Sequence, residues 1–413
     1  MPTRRLALLF VFVLVELFGF SLIVPILPYF AGSLGASPVV IGLLVASNAF
    51  AQLIGAPIIG HLSDRWGRRP LLLFSIGSTV ISFVLLGLAN TLLLLFVSRF
   101  LDGLFGGSIA LAQAYITDIT DEENRARGLG IIGAAFGLGF IAGPALGGRL
   151  SEIGFEVPAF LAAGLALLNM IGIALWLPES LSPERRARLA DDQGEMNARS
   201  ALLLSWTALR SVWGALQRPR VGPLLQIRLF YSLAITMFQT LFPLYAQLHL
   251  GLNVRQTGDV LTYVGVLVAL VQGVGIGWMT ARFQESRLVF YGMVVMVGTL
   301  LGWAFAPSVP FLLVVLAFMA LSSGSVNTLL SSLLTKSVYE QEVGGVLGFS
   351  SSLQSLSRVV SPAVGSVLLQ VLGTWAPGAL AAGVMASLVP FAGRFLLRED
   401  ASQESGGGGS LND

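Results

Sequence analysis

The chain has 413 residues, 55% of them hydrophobic and only 11% charged, with a mean hydropathy of +0.81. A water-facing domain carries about 25% charged residues, so this chain cannot clothe a soluble surface and reads as a set of membrane-spanning helices. It has no cysteine, which excludes disulfides and thiol chemistry, and its net charge of +2 is carried by arginine with Lys336 as the single lysine, a balance that belongs to membrane orientation rather than nucleic-acid binding.

About 20 apolar residues cross a bilayer core. Twelve such stretches follow one another, at about 6–30, 38–60, 70–89, 92–114, 127–150, 157–177, 222–248, 256–281, 288–306, 310–334, 343–372 and 376–397. The first begins behind Arg4 and Arg5 like a secretory leader, but it continues to Phe30, contains Glu16 and lacks a small-residue cleavage site. It is expected to stay as a span. Between the second and third spans, residues 60–70 (Gly-His-Leu-Ser-Asp-Arg-Trp-Gly-Arg-Arg-Pro) read as a short charged loop at the membrane surface.

The long polar segment from Pro178 to Pro219 divides six spans from six. Within it Leu202, Trp206, Leu209, Trp213 and Leu216 share one helical face, flanked by Arg199, Arg210 and Arg218, the pattern of an amphipathic helix lying on a leaflet. The expected organisation is an N-terminal bundle (1–177), a cytoplasmic linker (178–220), a C-terminal bundle (221–398) and a flexible tail (399–413) holding Gly-Gly-Gly-Gly-Ser. The class is an all-α membrane protein. The halves are also related: an offset of 218 residues places Pro25 on Pro243, Thr117 on Thr335, Gly130 on Gly348, Pro144 on Pro362 and Gly147 on Gly365. Such a parallel repeat is expected of two bundles related by a pseudo-twofold axis along the membrane normal.

Placing both termini in the cytoplasm puts nineteen of the 24 arginines and lysines in cytoplasmic tails and loops and only Arg149 and Arg255 on the other side. That is the asymmetry of the positive-inside rule. Arg99, Arg228 and Arg358 fall inside spans.

Two acids are expected at depth, Glu16 and Asp102, each ten residues from an end of its span and so about 15 Å in. Charged side chains there cost about 2.5–3.5 kcal/mol on insertion scales and usually mark a pathway. Arg99 lies one turn from Asp102 on the same face and favours its charged form, whereas a carboxyl in a low-dielectric cavity favours its neutral form. Glu16 is therefore expected as the main proton carrier, mid-bilayer in a wet crevice between the halves, with Asp102 and Arg99 as a partner that senses its charge. The alternative makes Arg99–Asp102 a structural pair and Glu16 a substrate contact. In the second half no buried acid is expected. Arg228, two turns inside its span, is expected to snorkel to the headgroups. Arg358 lies deeper and suits either an anionic substrate group or a helix carboxyl end. His61 and His249 stand at span ends without a ligand cluster, so no metal, cofactor or enzymatic nucleophile is expected, and no phosphate-binding Gly-x4-Gly-Lys loop occurs.

Gly60, Leu62, Asp64, Arg65, Gly67, Arg68 and Arg69 resemble motif A of the major facilitator superfamily. Gly130, Gly139, Gly143, Pro144, Gly147 and Gly148 resemble its motif C, the antiporter motif of the fifth helix, and Arg99 with Gly103 resembles motif B. Pro25 and Pro28 resemble the first-helix signature of the twelve-helix drug/proton antiporters, and the stretch Tyr115 to Gly148 is most similar to the tetracycline/proton antiporter branch. Glu16 departs from the aspartate more frequent in that branch, and Arg282 stands where a second Asp64 would repeat.

The resemblance implies the major facilitator fold, twelve transmembrane helices in two six-helix bundles, and a proton-coupled antiporter that exports a small amphipathic compound by alternating access. It implies multidrug efflux and antibiotic resistance at a cell inner membrane, by a multi-pass monomer with both termini cytoplasmic. Its partners would be a small-molecule substrate, protons and the lipid bilayer, with no nucleic acid. The alternative is a uniporter or uptake carrier for a sugar, organic anion or other metabolite. The family's cytoplasmic gate maps onto Asp64, Arg65, Gly67, Arg68, Arg69, Asp118 and Arg125, with Gly60 for close helix approach. Its cavity maps onto Asn48, Gln52, Phe105, Gln113, Tyr231, Gln239, Tyr263, Gln272, Asn327, Gln354 and Arg358. For any lone amide among these the alternative is an interhelical hydrogen bond, the more common fate of lone amides in membranes.

Overall fold

The computed structural model describes residues 2–120, 122–186, 214–218, 221–339 and 342–406, and among them it is helical throughout, without a strand. The first half runs α1 (Pro2–Ile23), α2 (Leu27–Ser33), α3 (Pro38–Trp66), α4 (Arg68–Gly87), α5 (Leu92–Phe105), α6 (Ser108–Ile119), α7 (Glu122–Leu150) and α8 (Glu156–Trp176). The second runs α9 (Gly222–Leu250), α10 (Val254–Leu270), a π turn (Val271–Gly275), α11 (Ile276–Thr280), α12 (Glu285–Ala304), α13 (Val309–Lys336), α14 (Val343–Leu372) and α15 (Ala376–Gly406). Eleven of these helices or interrupted helices are long and apolar enough to cross a membrane. The remaining expected span, the fifth, is α7, which opens on charged residues.

Three spans are interrupted, each for a local reason. The first breaks between α1 and α2 at Pro25, which lacks a donor and clashes with the preceding turn. The fourth breaks between α5 and α6 at Gly106–Gly107, where Gly106 lies so close to Asp102 that a Cβ would meet its carbonyl oxygen at 2.0 Å. The eighth widens into the π turn over Val-Gln-Gly-Val-Gly.

The charged loop expected at 60–70 is not a loop. α3 continues to Trp66 and α4 starts at Arg68, so Gly67 alone joins them, at φ +104°. That left-handed backbone is one only glycine adopts without strain, and one residue is then enough to turn the chain. At the other end, α15 runs to Gly406, where a flexible tail from 399 was expected. The sequence Arg-Glu-Asp-Ala-Ser-Gln-Glu-Ser contains several good helix formers, which favour continuation of the helix. The amphipathic helix expected at Leu202–Leu216 lies for the most part outside the described residues, as do 407–413.

The chain forms two compact units. One holds Met1–Ala208 with Pro243–Gly265, the other Leu209–Phe242 with Val266–Asp413. In the first, α1 packs on α7 and α8, α3 on α5, and α4 on α8, around buried Leu9, Leu17, Ile76, Leu95 and Tyr115. Residues 243–265 join it through Tyr29, whose hydroxyl reaches Leu252 O at 2.8 Å and Thr257 Oγ1 at 2.7 Å. The two arginines expected opposite the cytoplasm also take partners there, Arg149 with Asp259 at 3.0 Å and Arg255 with Glu152 at 3.5 Å. In the second unit α12 packs on α13 and α15, around Met293, Trp303, Leu316, Leu330 and Met385. Phe74, Ile81, Leu168, Leu175, Val314 and Phe318 are left exposed, as lipid-facing helices require.

Candidate functional site

The Glu16 carboxyl is turned into the interior of its own half. It lines a cavity of about 20 Å3 walled by Leu9, Phe12 and Val13 of α1, Leu72 and Ile76 of α4, Ser108, Ile109 and Ala112 of α6, and Asn169 and Ile173 of α8. That volume holds about one water. Ser108 Oγ, on the first residue after the Gly106–Gly107 break, donates to Glu16 Oε1 at 2.9 Å. Glu16 Oε2 is buried without a partner, and so is Asn169 Oδ1 in the same cavity wall. Asn169 Nδ2 is taken by Phe12 O at 3.0 Å. The walls of this cavity come from four helices of the first half. Sequence depth placed the acid in the membrane but could not tell which way the helix turned it.

Arg99 and Asp102 form the second cluster. Arg99 is buried, with Nη1 3.5 Å from Asp102 Oδ2 and its guanidinium 5.4 Å from the centre of the Phe83 ring. Asn48 Nδ2 donates both to Asp102 Oδ2, at 3.0 Å, and to Arg99 O, at 2.9 Å. Gln52 Nε2 donates to Gly106 O at 3.4 Å. Gly103 lets α5 approach this face of α3, since a Cβ there would lie 2.1 Å from Asn48 O. Asn48 and Gln52, expected as substrate contacts, here join α3 to α5.

The motif A residues close a dense ionic knot. Arg68 pairs with Asp64 at 2.6 Å and with Asp118 at 3.0 Å, and also donates to Ser63 Oγ. Asp118 further accepts from Ser180 Oγ at 3.1 Å and pairs with Arg185 at 3.5 Å. The amino end of α4 is capped from afar: Glu179 accepts from Arg68 N at 2.9 Å and Arg69 N at 3.2 Å. A carboxylate there suits the positive end of the helix dipole. Sequence reading missed Glu179; its signal was an acid directly after Pro178 at the end of a span. Arg65 points to solvent, and the Arg125 side chain lies outside the described residues. Gly60 does not serve close approach, because a Cβ there would meet nothing within 4 Å.

In α7, Gly139, Gly143 and Gly147 do form a contact stripe, against Leu17, Ser21 and Leu22 of α1. Ser21 Oγ donates across it to Gly139 O at 2.7 Å. Gly148 faces Val254 and Arg255, Pro144 O faces Gly258, and Gly130 has open space around it.

The other expected contacts scatter. Phe105 stacks edge-on against Phe74 at 5.4 Å. Gln113 and Gln239 are exposed, Tyr263 is half-buried, and Gln272 is exposed within the π turn. Gln354 bonds its own helix at Ser350 O, 3.4 Å away. Arg358 stands exposed midway along α14 and caps no helix end among the described residues. Arg228 does not snorkel. It is 4% exposed, and its Nη1 donates to Asn327 Oδ1 at 2.9 Å and Asn327 O at 3.3 Å. Tyr231 OH donates to Ser323 O at 2.9 Å. No group of three or more metal-binding side chains occurs among the described residues.

Comparison with known proteins agrees with this architecture. A family model described as Major Facilitator Superfamily matches residues 9–276 and 224–410. The chain is 30% identical over 354 residues to Solute carrier family 22 member 18 of Mus musculus, covering 84% of this chain and 85% of that protein. It is 30% identical over 356 residues to the class C tetracycline resistance protein of Escherichia coli, with the same coverage. Among solved structures, the human organic anion transporter MFSD10 superposes with a TM-score of 0.70 over 95% of this chain and all of that one, at 22% identity. The chain belongs to the Major Facilitator Superfamily: it is a multi-pass membrane transporter, not an enzyme.

Proposed function

We propose that this transporter is a proton antiporter that exports a small amphipathic compound, with Glu16 as the proton carrier. The observation that carries the reading is the Glu16 carboxyl itself: an acid inside the first span, held on one oxygen by Ser108, with the other oxygen unpartnered beside room for a water. An acid so placed can exist neutral, and its protonation changes the charge the membrane interior must hold. Coupling requires that the two transport states differ in their affinity for that proton. Asp102, already engaged by Arg99 and Asn48, is a fixed charge in this reading rather than the carrier. The similarity to a tetracycline resistance protein supports export. In this reading both termini are cytoplasmic, the membrane is the inner membrane of a cell, and the chain works as a monomer without nucleic acid. The Asp64–Arg68–Asp118 knot works as a cytoplasmic gate.

A second reading, an uptake carrier or uniporter for an organic anion, is favoured by Arg228, a buried cation of the second half. A substrate screen in inverted vesicles separates the two. Antiport predicts proton release from the acidified lumen when a substrate is added. Substrate uptake that proceeds at the same rate with and without the gradient contradicts it.

A further inference from the structure

The cavity beside Glu16 is edged by polar atoms without hydrogen-bond partners among the described residues. Asn169 of α8 is 5% exposed, and its Nδ2 donates to Phe12 O at 3.0 Å. Phe12 O is the carbonyl four residues before Glu16 in α1, so the amide is docked on the helical turn that ends at Glu16. Only an N–H can serve a carbonyl oxygen, which fixes the sense of the amide. Oδ1 is the atom left over, buried and unpartnered. Glu16 Oε2 is buried and unpartnered too, since Ser108 donates to Oε1. With Glu16 charged both atoms are acceptors, and two acceptors cannot satisfy each other. The Thr79 hydroxyl, 3% exposed, stands beside the carboxyl and has no hydrogen-bond partner of its own among the described residues. One water supplies what these atoms lack, two hydrogens to donate and an oxygen to accept from a hydroxyl, and the cavity of about 20 Å3 has room for one. Its walls bring no second titratable side chain among the described residues. α7 meets α1 through glycines, and Asp102 of α5 is the charged group that acts on Glu16 from another helix. A purely structural Asn169, tying α8 to α1, uses Nδ2 alone and leaves a desolvated Oδ1 without compensation.

We propose that Asn169 is a positioning residue that holds one water against Glu16 Oε2, and that the proton reaches and leaves Glu16 through that water. This role rests on Glu16 being the proton carrier. With Glu16 charged, the water donates one hydrogen to Oε2 and the other to Asn169 Oδ1. When a further proton arrives on the water, one of its hydrogens passes to Oε2. The water is left intact, now accepting from the Glu16 hydroxyl and still donating to Oδ1. The test needs no substrate: acid-minus-alkaline infrared difference spectra of the purified full chain in a neutral maltoside detergent, where the protonated carboxyl band of Glu16 is the one that Glu16→Gln removes. Asn169→Leu takes away the anchor. Ala112→Val fills the cavity from its α6 wall with every polar group in place, which keeps the test decisive if Asn169→Leu fails to fold. In both variants the Glu16 band is expected at higher wavenumber, because the hydroxyl has lost the water that accepted from it. It is also expected to appear at least about tenfold more slowly after a jump to acid pH, a change that a merely structural Asn169 would not bring about. A band unmoved in both variants, or one that moves while its rate stays at the wild-type value, overturns the proposal and leaves Glu16 as carrier untouched. Gradient-driven accumulation that survives Glu16→Gln removes the carrier and the relay with it, wherever the band lies. Spectra in which Glu16→Gln removes no band overturn both.

Discussion

An ionised carboxylate has about four lone-pair sites, and Glu16 fills few of them: Ser108 donates to one oxygen, and Thr79 is the other hydroxyl beside the carboxyl. This under-use is the residue-level basis of the transport reading, because a group that is well satisfied only when charged would not give its charge up. Glu16→Gln, which fixes the neutral shape, should abolish dependence on the pH gradient. Glu16→Asp keeps the acid but shortens its reach to Ser108, and should retain coupling at a reduced rate, several-fold lower; the measurement is initial uptake into inverted vesicles across a range of imposed gradients. Asp118 represents the opposite case. Its side chain is 5% exposed and serves Arg68, Arg185 and Ser180. Asp118→Ala leaves Asp64 as the one carboxylate paired with Arg68 among the described residues, and breaking a buried pair from one side costs about 3–5 kcal/mol. A lower melting temperature in detergent is the expected result, with Asp118→Asn intermediate; an unchanged melt for the alanine variant would mean the knot contributes nothing to stability.

At the scale of helices, glycine decides which faces meet. A Cβ on Gly143 would lie 1.9 Å from Ser21 Oγ, whereas Gly130, in the same helix and the same motif, has nothing within 4 Å. Gly143→Ala should force α1 and α7 apart and destabilise the first half by about 1–3 kcal/mol. Gly130→Ala should be neutral or stabilising by up to about 1 kcal/mol, from helix propensity. Equal melting temperatures for the two variants would contradict the contact stripe. The twelve spans, the motif C stripe and the Arg99–Asp102 pair were legible in the sequence because each depends on composition or on residues within a few turns. The Gly67 joint was not: Pro70 and a run of charges suggested a loop, and only the φ of +104° and the cap from Glu179 show how one residue suffices. Arg228 was misjudged for a similar reason. Two turns of depth suggested a route to the headgroups, but its acceptor is Asn327, 99 residues further on, and no local pattern announces a partner in another helix.

At the scale of the whole molecule, charge is divided between the halves. The first half places Glu16, Asp102 and Arg99 deep within spans; the second places Arg228 and Arg358 there, while its acids Asp259 and Glu285 lie within the first two turns of their helices. In the proposed function the proton site lies in the first half of the sequence, and a transporter couples proton and substrate through the balance of its states. Orientation is testable in the same molecule, since the absence of cysteine allows single reporters. Ile153→Cys and Tyr339→Cys both replace well-exposed side chains, 76% and 82%. In intact cells a membrane-impermeant maleimide should label the first and spare the second, and the reverse pattern would invert the topology.

The most direct measurement compares two activities of Glu16→Gln reconstituted in proteoliposomes: substrate accumulation driven by a pH gradient, and substrate counterflow with no gradient. Loss of gradient-driven accumulation with counterflow preserved is the predicted result, since rocking around the substrate would continue while the proton has nowhere to bind. Accumulation that still follows the gradient as in the wild type would contradict Glu16 as the proton carrier.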